Sequence, residues 1–247
     1  MVYVKGIIMD KQKYIVSFSG GKDSTAMLHL LLNKNGPIDD VIFFDGGWEF
    51  PEMYDHIKLV EQKTGIKITV VKPPKPFEYY LNEIVLVSGK HAGKQGYGWP
   101  WAKGRWCTRL KVDTIKQVVS NDAIQYIGIA LDEQKRIVNK PNKQYPLVEM
   151  GFTEKQCLEY CYSLGYTWSG LYERHNRVSC FCCPLQRVAS IKYLYFERPE
   201  LWYTMKQMNQ TSKQYESPSK FHGRTLAEWE ARFEKERQKE NENERSW

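Results

Sequence analysis

The chain has 247 residues, 42% hydrophobic and 26% charged, with a formal net charge of +7. That length accommodates one substantial domain with an appendage, or two small ones, and the composition is that of a water-soluble globular chain. No apolar run reaches the length needed to span a bilayer, and Met1–Ile8 is too short and too weakly apolar for a secretory leader, so the expected setting is cytoplasmic, without membrane contact. The positive surplus suits a polyanionic ligand, a nucleotide first and nucleic acid (DNA or RNA) second.

Tyr14–Ser17 reads as a strand that enters the polar turn Ser19-Gly20-Gly21-Lys22-Asp23-Ser24, and Ala26–Leu32 continues as a helix. Strand, glycine turn and helix start together form an anion site, because glycine lets backbone N–H groups approach a phosphate and the helix dipole favours the negative charge. The spacing fits neither a Walker A loop nor the Gly-x-Gly-x-x-Gly turn. Val41–Phe44, bounded by Asp45-Gly46-Gly47, fits a buried parallel strand. Pro51 opens a helix to Thr64, Gly65 ends it, and Ile66–Val71 forms the third strand. After Pro73-Pro74-Lys75-Pro76, a helix is expected from Phe77 to about Val87.

Ser88–Arg105 has no periodicity and mixes Gly, Lys, Tyr97, Trp99 and Trp101. It reads as a functional loop, either a lid over the nucleotide or a stacking surface for bases. Thr108–Val119 is helical and Ala123–Ile129 is the fourth strand, ending at Asp132-Glu133. Alternating strands and helices predict an α/β fold with a mostly parallel sheet, and ligands in such sheets bind beyond the C-terminal strand ends. Beyond Thr153 the pattern is helical: Thr153 and Gln156 stand at capping-box spacing and Gly165 ends that helix. One further helix is expected from Val188 to about Asn209, and a charged surface helix that frays from Leu226 to Glu244. The expected divisions are 1–150, an α/β nucleotide domain; 151–222, a helical cysteine-containing region; and 223–247, a charged tail.

Six cysteines in a cytosolic setting point to metal or redox chemistry. Cys180-Phe181-Cys182-Cys183 holds a Cys-x-x-Cys pair, Cys180 and Cys183, which suits one metal ion or one iron–sulfur cluster, and Cys107 is the third candidate ligand. Cys182 would close the set as a fourth ligand, or make a tetrahedral zinc site. Cys157 and Cys161, one helical turn apart, read as small buried hydrophobes. His175 reads as a surface histidine, with acid–base work or ligation as the alternative.

The Ser19–Ser24 turn resembles the Ser-Gly-Gly-x-Asp-Ser signature of the PP-loop ATP pyrophosphatases. Asp45–Glu52, Trp106–Lys111, Gly128–Arg136 and Pro146–Thr153 resemble, in order, segments of the branch holding the phosphoadenosine-phosphosulfate (PAPS) reductases and the ATP sulfurylase small subunit. Gly46 stands where that branch usually has threonine, and no cysteine follows Cys183, so the nucleophilic tail cysteine of PAPS and adenylyl-sulfate (APS) reductases has no counterpart in this sequence. The Cys-Thr segment and the late Cys-x-x-Cys are most similar to the DNA-phosphorothioation sulfur-transfer proteins and to short phage and bacterial PAPS-reductase-like proteins.

The resemblance implies a Rossmann-like nucleotide fold and ATP cleavage to AMP and pyrophosphate, activating an acceptor for sulfur. It also implies a [4Fe-4S] cluster, with zinc as the alternative metal, and a cysteine desulfurase as sulfur donor. Ser19, Gly20, Gly21, Lys22, Asp23 and Ser24 would wrap the phosphates, with Lys22, Asp23 and Ser24 at the reacting end and Asp23 helping to hold Mg²⁺. Asp45 and Gly46 would lie beside the ribose or the metal, and Arg105, Arg109, Lys111 and Arg136 are candidate phosphate clamps. Two rival readings are a PAPS or APS reductase using an external thiol, and a non-catalytic nucleotide- or nucleic-acid-binding module with structural zinc.

Overall fold

The computed structural model describes residues 12–178, 180–211 and 221–244. The expected leaderless start, residues 1–8, lies outside them. Two compact units are built from interleaved segments. The first takes residues up to Phe43, Ile57–Val71 and Ile115–Tyr166; the second takes Phe44–His56, Lys72–Thr114 and the chain from Thr167 onward.

The first unit is organised by a five-stranded sheet in the order β3-β2-β1-β4-β5. Its strands are β1 (Tyr14–Phe18), β2 (Asp40–Phe44), β3 (Ile68–Val71), β4 (Ile124–Ile127) and β5 (Lys143–Gln144). β1 runs parallel to β2 and β4, and β4 to β5, with Val16 opposite Val41 on one side and Tyr126 on the other. This is the expected Rossmann-like α/β arrangement with helices flanking the sheet, and the strand order reverses direction at β1. Val16, Val41 and Ala123 are fully buried, as a covered parallel sheet requires.

Helix α1 (Lys22–Asn33) follows β1, and α2 runs from Pro51 to Thr64 as the proline and Gly65 predict. Gly65, at φ 70°, takes the left-handed turn that stops α2. Helix α3 covers only Phe77–Asn82, short of the expected Val87. The β-branched run that follows turns back instead, with Val85 bridging Gln95 antiparallel and Gly96 N–H donating to Ile84 O at 2.7 Å. Helix α4 spans Trp106–Val118, and a 3-10 turn at Leu131–Arg136 follows β4. Strand β5 has only two residues and no apolar run to announce it.

Helix α5 (Pro146–Glu149) precedes α6 (Glu154–Ser163), whose Thr153–Gln156 capping box forms in both directions. In the second unit come α7 (Leu171–Arg174), α8 (Val188–Glu197), α9 (Pro199–Thr211) and α10 (Leu226–Glu244). The single helix expected over 188–209 is broken at Arg198, φ −134° and ψ 61°, because Pro199 drives the residue before it out of helical space. Helix α10 is not a loose surface helix. Leu226, Trp229 and Phe233 are each at most 2% exposed, and Phe233 packs against Tyr195 at 5.4 Å between ring centres.

Candidate functional site

The Ser19–Ser24 turn closes on itself before any ligand is considered. Gly20, at φ 75°, adopts the left-handed conformation, and Gly21 forms the helix N-cap without a side-chain cap. Ser24 is inside the helix, not at its cap: its Oγ donates to Gly21 O at 3.0 Å, accepts from Ser19 N–H at 3.1 Å and lies 3.0 Å from Ser19 Oγ. Gly128, directly after β4, permits this approach, since a Cβ there would lie 3.1 Å from Ser24 N and Cα. The turn therefore sits beside β4 at the point where the strand order reverses, where doubly wound folds bind nucleotides.

Lys22 is 6% exposed, and its ammonium is held at 2.8 Å by both Asp23 Oδ1 and Glu154 Oε1. Burial works against the charge, but the two carboxylates outweigh it and its pKa is raised. Burial raises Asp23 as well, against the pull of Lys22. Carboxylate oxygens of Asp23, Glu133 and Glu154 lie within 4.8 Å of one another, a donor set of the kind Mg²⁺ takes. Glu154 carries no motif in the sequence and is placed here by α6, whose first N–H donates to Asp132 Oδ1 at 2.9 Å. Arg136 is exposed and paired with Glu133, so the structure ties it to this carboxylate group. Cys157 and Cys161 are fully buried on α6, and the Cys161 thiol donates to Lys22 O at 3.3 Å. Burial pushes the Cys157 thiol up to about 12, so both behave as buried neutral thiols.

The second unit gathers the other candidates. Cys107 is in the first turn of α4, and Cys180, Cys182 and Cys183 share the turn before Pro184. Burial raises all four thiols, Cys180 and Cys182 well above the usual range, and Cys180 feels the other three electrostatically. Phe181 N–H donates to Trp48 O at 2.9 Å, which pins the cysteine turn to the residues after β2. Glu49 lies 3.8 Å from Cys180 Sγ, and burial raises its carboxyl, with Lys111 opposing. Among the described residues no three of the four sulfurs come within 4.8 Å of one another. Tetrahedral zinc, with bonds of about 2.3 Å, would hold them about 3.8 Å apart.

Asp45 is bound within this second unit. Its Oδ1 accepts from Gly47 N–H and Tyr54 Oη, both at 2.8 Å, and Lys72 lies 3.6 Å from Oδ2. Gly46 is a glycine for a steric reason: a Cβ would stand 2.6 Å from Phe77 Cε2. Lys111 extends over the Phe44 ring at 5.9 Å, while Arg105 and Arg109 are exposed. His175 departs from expectation. It is 3% exposed with Nδ1 2.8 Å from Ser190 Oγ, and burial, aided by Arg198, lowers its pKa to about 4. It is a core residue and not a surface one.

The phosphoadenosine phosphosulfate reductase domain matches residues 13–186, most of the chain. The chain belongs to that family. An uncharacterised protein of Methanocaldococcus jannaschii is 28% identical over 209 residues, covering 78% of this chain and 40% of that protein. A second protein of the same organism is 28% identical over 207 residues, 75% of this chain and 46% of that protein. The chain thus spans less than half the length of these two relatives. Sulfate adenylyltransferase subunit 2 of Proteus mirabilis is 27% identical over 94 residues, 36% of this chain and 31% of that protein. Among solved structures, a U34-tRNA thiolase of Methanococcus maripaludis, determined with its [4Fe-4S] cluster, aligns over 92% of this chain and 82% of that one. Its TM-score is 0.44 and its sequence identity 16%.

Membership of this reductase-domain family agrees with the order of the motifs and with the nucleotide-type sheet. No helix among the described residues is long and apolar enough to cross a membrane.

Proposed function

We propose that the chain is an ATP-dependent sulfur-transfer enzyme that cleaves ATP to AMP and pyrophosphate. The observation that carries this reading is the Ser19–Ser24 turn, with a left-handed Gly20, an uncapped α1 N-terminus and a buried lysine, at the strand-order reversal. N–H groups of the turn would bind phosphate oxygens, aided by the helix dipole. Ser19 and Ser24 hydroxyls would orient them, and Lys22 would offset developing charge. Asp23, Glu133 and Glu154 would hold Mg²⁺ on the departing pyrophosphate.

In the proposed reaction an oxygen of the acceptor attacks the α-phosphorus. The new P–O bond forms as the bond to the β-phosphate oxygen breaks, and pyrophosphate leaves with that electron pair. A persulfide supplied by an external donor such as a cysteine desulfurase is reduced by two equivalents of an external thiol, which leave as a disulfide. The sulfide so released attacks the acceptor carbon. The carbon–oxygen bond breaks and AMP leaves.

Cys107, Cys180 and Cys183, with Cys182 beside them, fit a sulfur-preferring metal group by donor type. Such a [4Fe-4S] group, when bound, would supply an iron that can carry sulfide. Arg105 and Lys111 are placed near these thiols or Glu49 and would offset anionic charge there.

The test is product analysis on anaerobically purified protein supplied with ATP and Mg²⁺. AMP and pyrophosphate are expected, with turnover lowered at least about a hundredfold in Ser24→Ala, the scale seen when one preorganised donor is lost. Intact ATP, together with thiol-dependent reduction of an adenylyl sulfate, would establish the reductase reading that the family match also supports.

A further inference from the structure

The strongest further feature is the segment between α3 and α4, with the start of α4, which adjoins the cysteine site and is all within the second unit. From Ile84 to Lys111 there is no Asp or Glu, yet the segment carries Lys90, Lys94, Lys103, Arg105, Arg109 and Lys111. The first five are exposed, and none has a carboxylate partner among the described residues. Arg105 and Arg109 also flank the α4 N-terminus, which has no acidic residue in its first turn. Helix stability favours anions at that end, so these arginines are placed against the helix's own preference and toward an external anion.

The aromatics of this segment, together with Tyr80 of α3, form a stack that is ready before any ligand arrives. Tyr80, Trp106 and Tyr97 lie in sequence, with ring centres 6.0 and 5.9 Å apart and planes within 30° and 28° of each other. Trp106 is fixed by an Nε1–H bond to Gly98 O at 2.9 Å, and Tyr97 by its N–H bond to Tyr80 O at 2.8 Å. Tyr97 ends the row 42% exposed. Trp101, 60% exposed, is held over the 101–104 turn, where a Cβ on Gly104 would lie 2.2 Å from its Nε1. Each ring packs one side on the protein and keeps the rest in water, which leaves aromatic surface on which a flat ligand can stack.

We infer that this segment binds single-stranded nucleic acid, stacking unpaired bases on Tyr97 and Trp101 and pairing phosphates with the five exposed cations. Duplex ends and membranes offer anions too, but only unpaired bases present free π-faces to both rings. The inference goes beyond the sulfur-transfer reading and does not depend on it, since it is tested by binding alone, without ATP.

The experiment is fluorescence anisotropy of the full chain with labelled 20-nucleotide oligodeoxythymidine and oligouridine. A duplex of the same length and anionic phosphatidylserine vesicles serve as contrasting arms. Five phosphate contacts predict a log–log salt slope near −3.5 for a single strand, about a hundredfold loss of affinity from 50 to 200 mM salt. Trp101→Ala and Tyr97→Ala are each expected to weaken binding by about five- to a hundredfold with the slope unchanged. Lys90→Ser/Lys94→Ser/Lys103→Ser should lower the slope magnitude by about 2. All these positions are exposed, so thermal midpoints should stay at the wild-type value. The deoxy and ribo arms decide which sugar the surface prefers. No binding at 50 mM salt, duplex bound as tightly as single strand, vesicles bound in place of oligonucleotide, or aromatic variants without effect would each overturn the inference.

Discussion

Substituting threonine for Gly46 restores the residue usual at this place in the resembling family segment, and the structure predicts that this chain will not tolerate it. A Cβ at position 46 would lie 2.6 Å from Phe77 Cε2 and 2.8 Å from Cζ, where ordinary contacts begin at 3.4 Å. The Phe77 ring cannot swing aside freely. It is 3% exposed and meets Trp48 and Trp106 edge-on, with ring centres at 5.0 and 5.3 Å. Overpacking of this kind costs about 1–3 kcal/mol. For a chain of this size each kcal/mol lowers the thermal midpoint by about 2–4 °C, so a fall of about 4–8 °C is expected for the middle of that range. Gly46→Thr, Phe77→Leu and the double variant would be followed by circular dichroism on heating. The double variant should be more stable than the two separate losses predict, by about 1–2 kcal/mol, because the smaller side chain vacates the contested space. A midpoint for Gly46→Thr within 1 °C of wild type (roughly the resolution of such a scan), or strictly additive losses, would show that Phe77 does not determine the glycine.

Burial of His175 and the pairing of Lys22 each have a measurable consequence. His175 binds no proton in the folded chain until about pH 4, whereas its ordinary value is 6.5, so its contribution to stability is complete above pH 6.5 and is lost as the pH falls toward 4. From pH 8 to pH 5 this one group should remove about 2 kcal/mol, read as a lower urea midpoint. His175→Gln should lose that part of the pH dependence, and an unchanged pH profile would refute the assignment. Glu154→Gln frees Lys22 from one of its two carboxylates. Calorimetric titration without Mg²⁺ should then show nucleotide binding strengthened by about tenfold, on the order of 1.4 kcal/mol, while the Mg²⁺ concentration needed for full effect rises. Equal affinity in both variants, with and without Mg²⁺, would mean that Lys22 does not reach the phosphates.

Local chemistry determined much of this protein in the sequence alone. Pro51 and Gly65 bound α2 because proline suits a helix start and glycine the left-handed stop, and Thr153 with Gln156 marks the start of α6 through reciprocal bonds over three residues. The strand–glycine turn–helix junction of β1 and α1 is legible too, since its signals are all within a dozen residues. Where the reading failed locally, a competing rule was already present: Pro199 splits the helix expected over 188–209, and the β-branched run after Asn82 ends α3 early.

Tertiary structure alone decided which distant residues meet. Glu154 has no motif, yet α6 brings it to Lys22 across 132 positions of chain. Lys111 reads as a phosphate clamp in a one-dimensional pattern, and only the fold shows that it extends over Phe44 and acts on Glu49. His175 looks like a polar surface residue until Phe50, Tyr193 and Ser190 are seen around it. The physical reason is the same in each case. Backbone preferences act over a few residues and leave their signature in spacing, whereas burial and ion pairing depend on which elements pack together, and no short stretch of sequence records that.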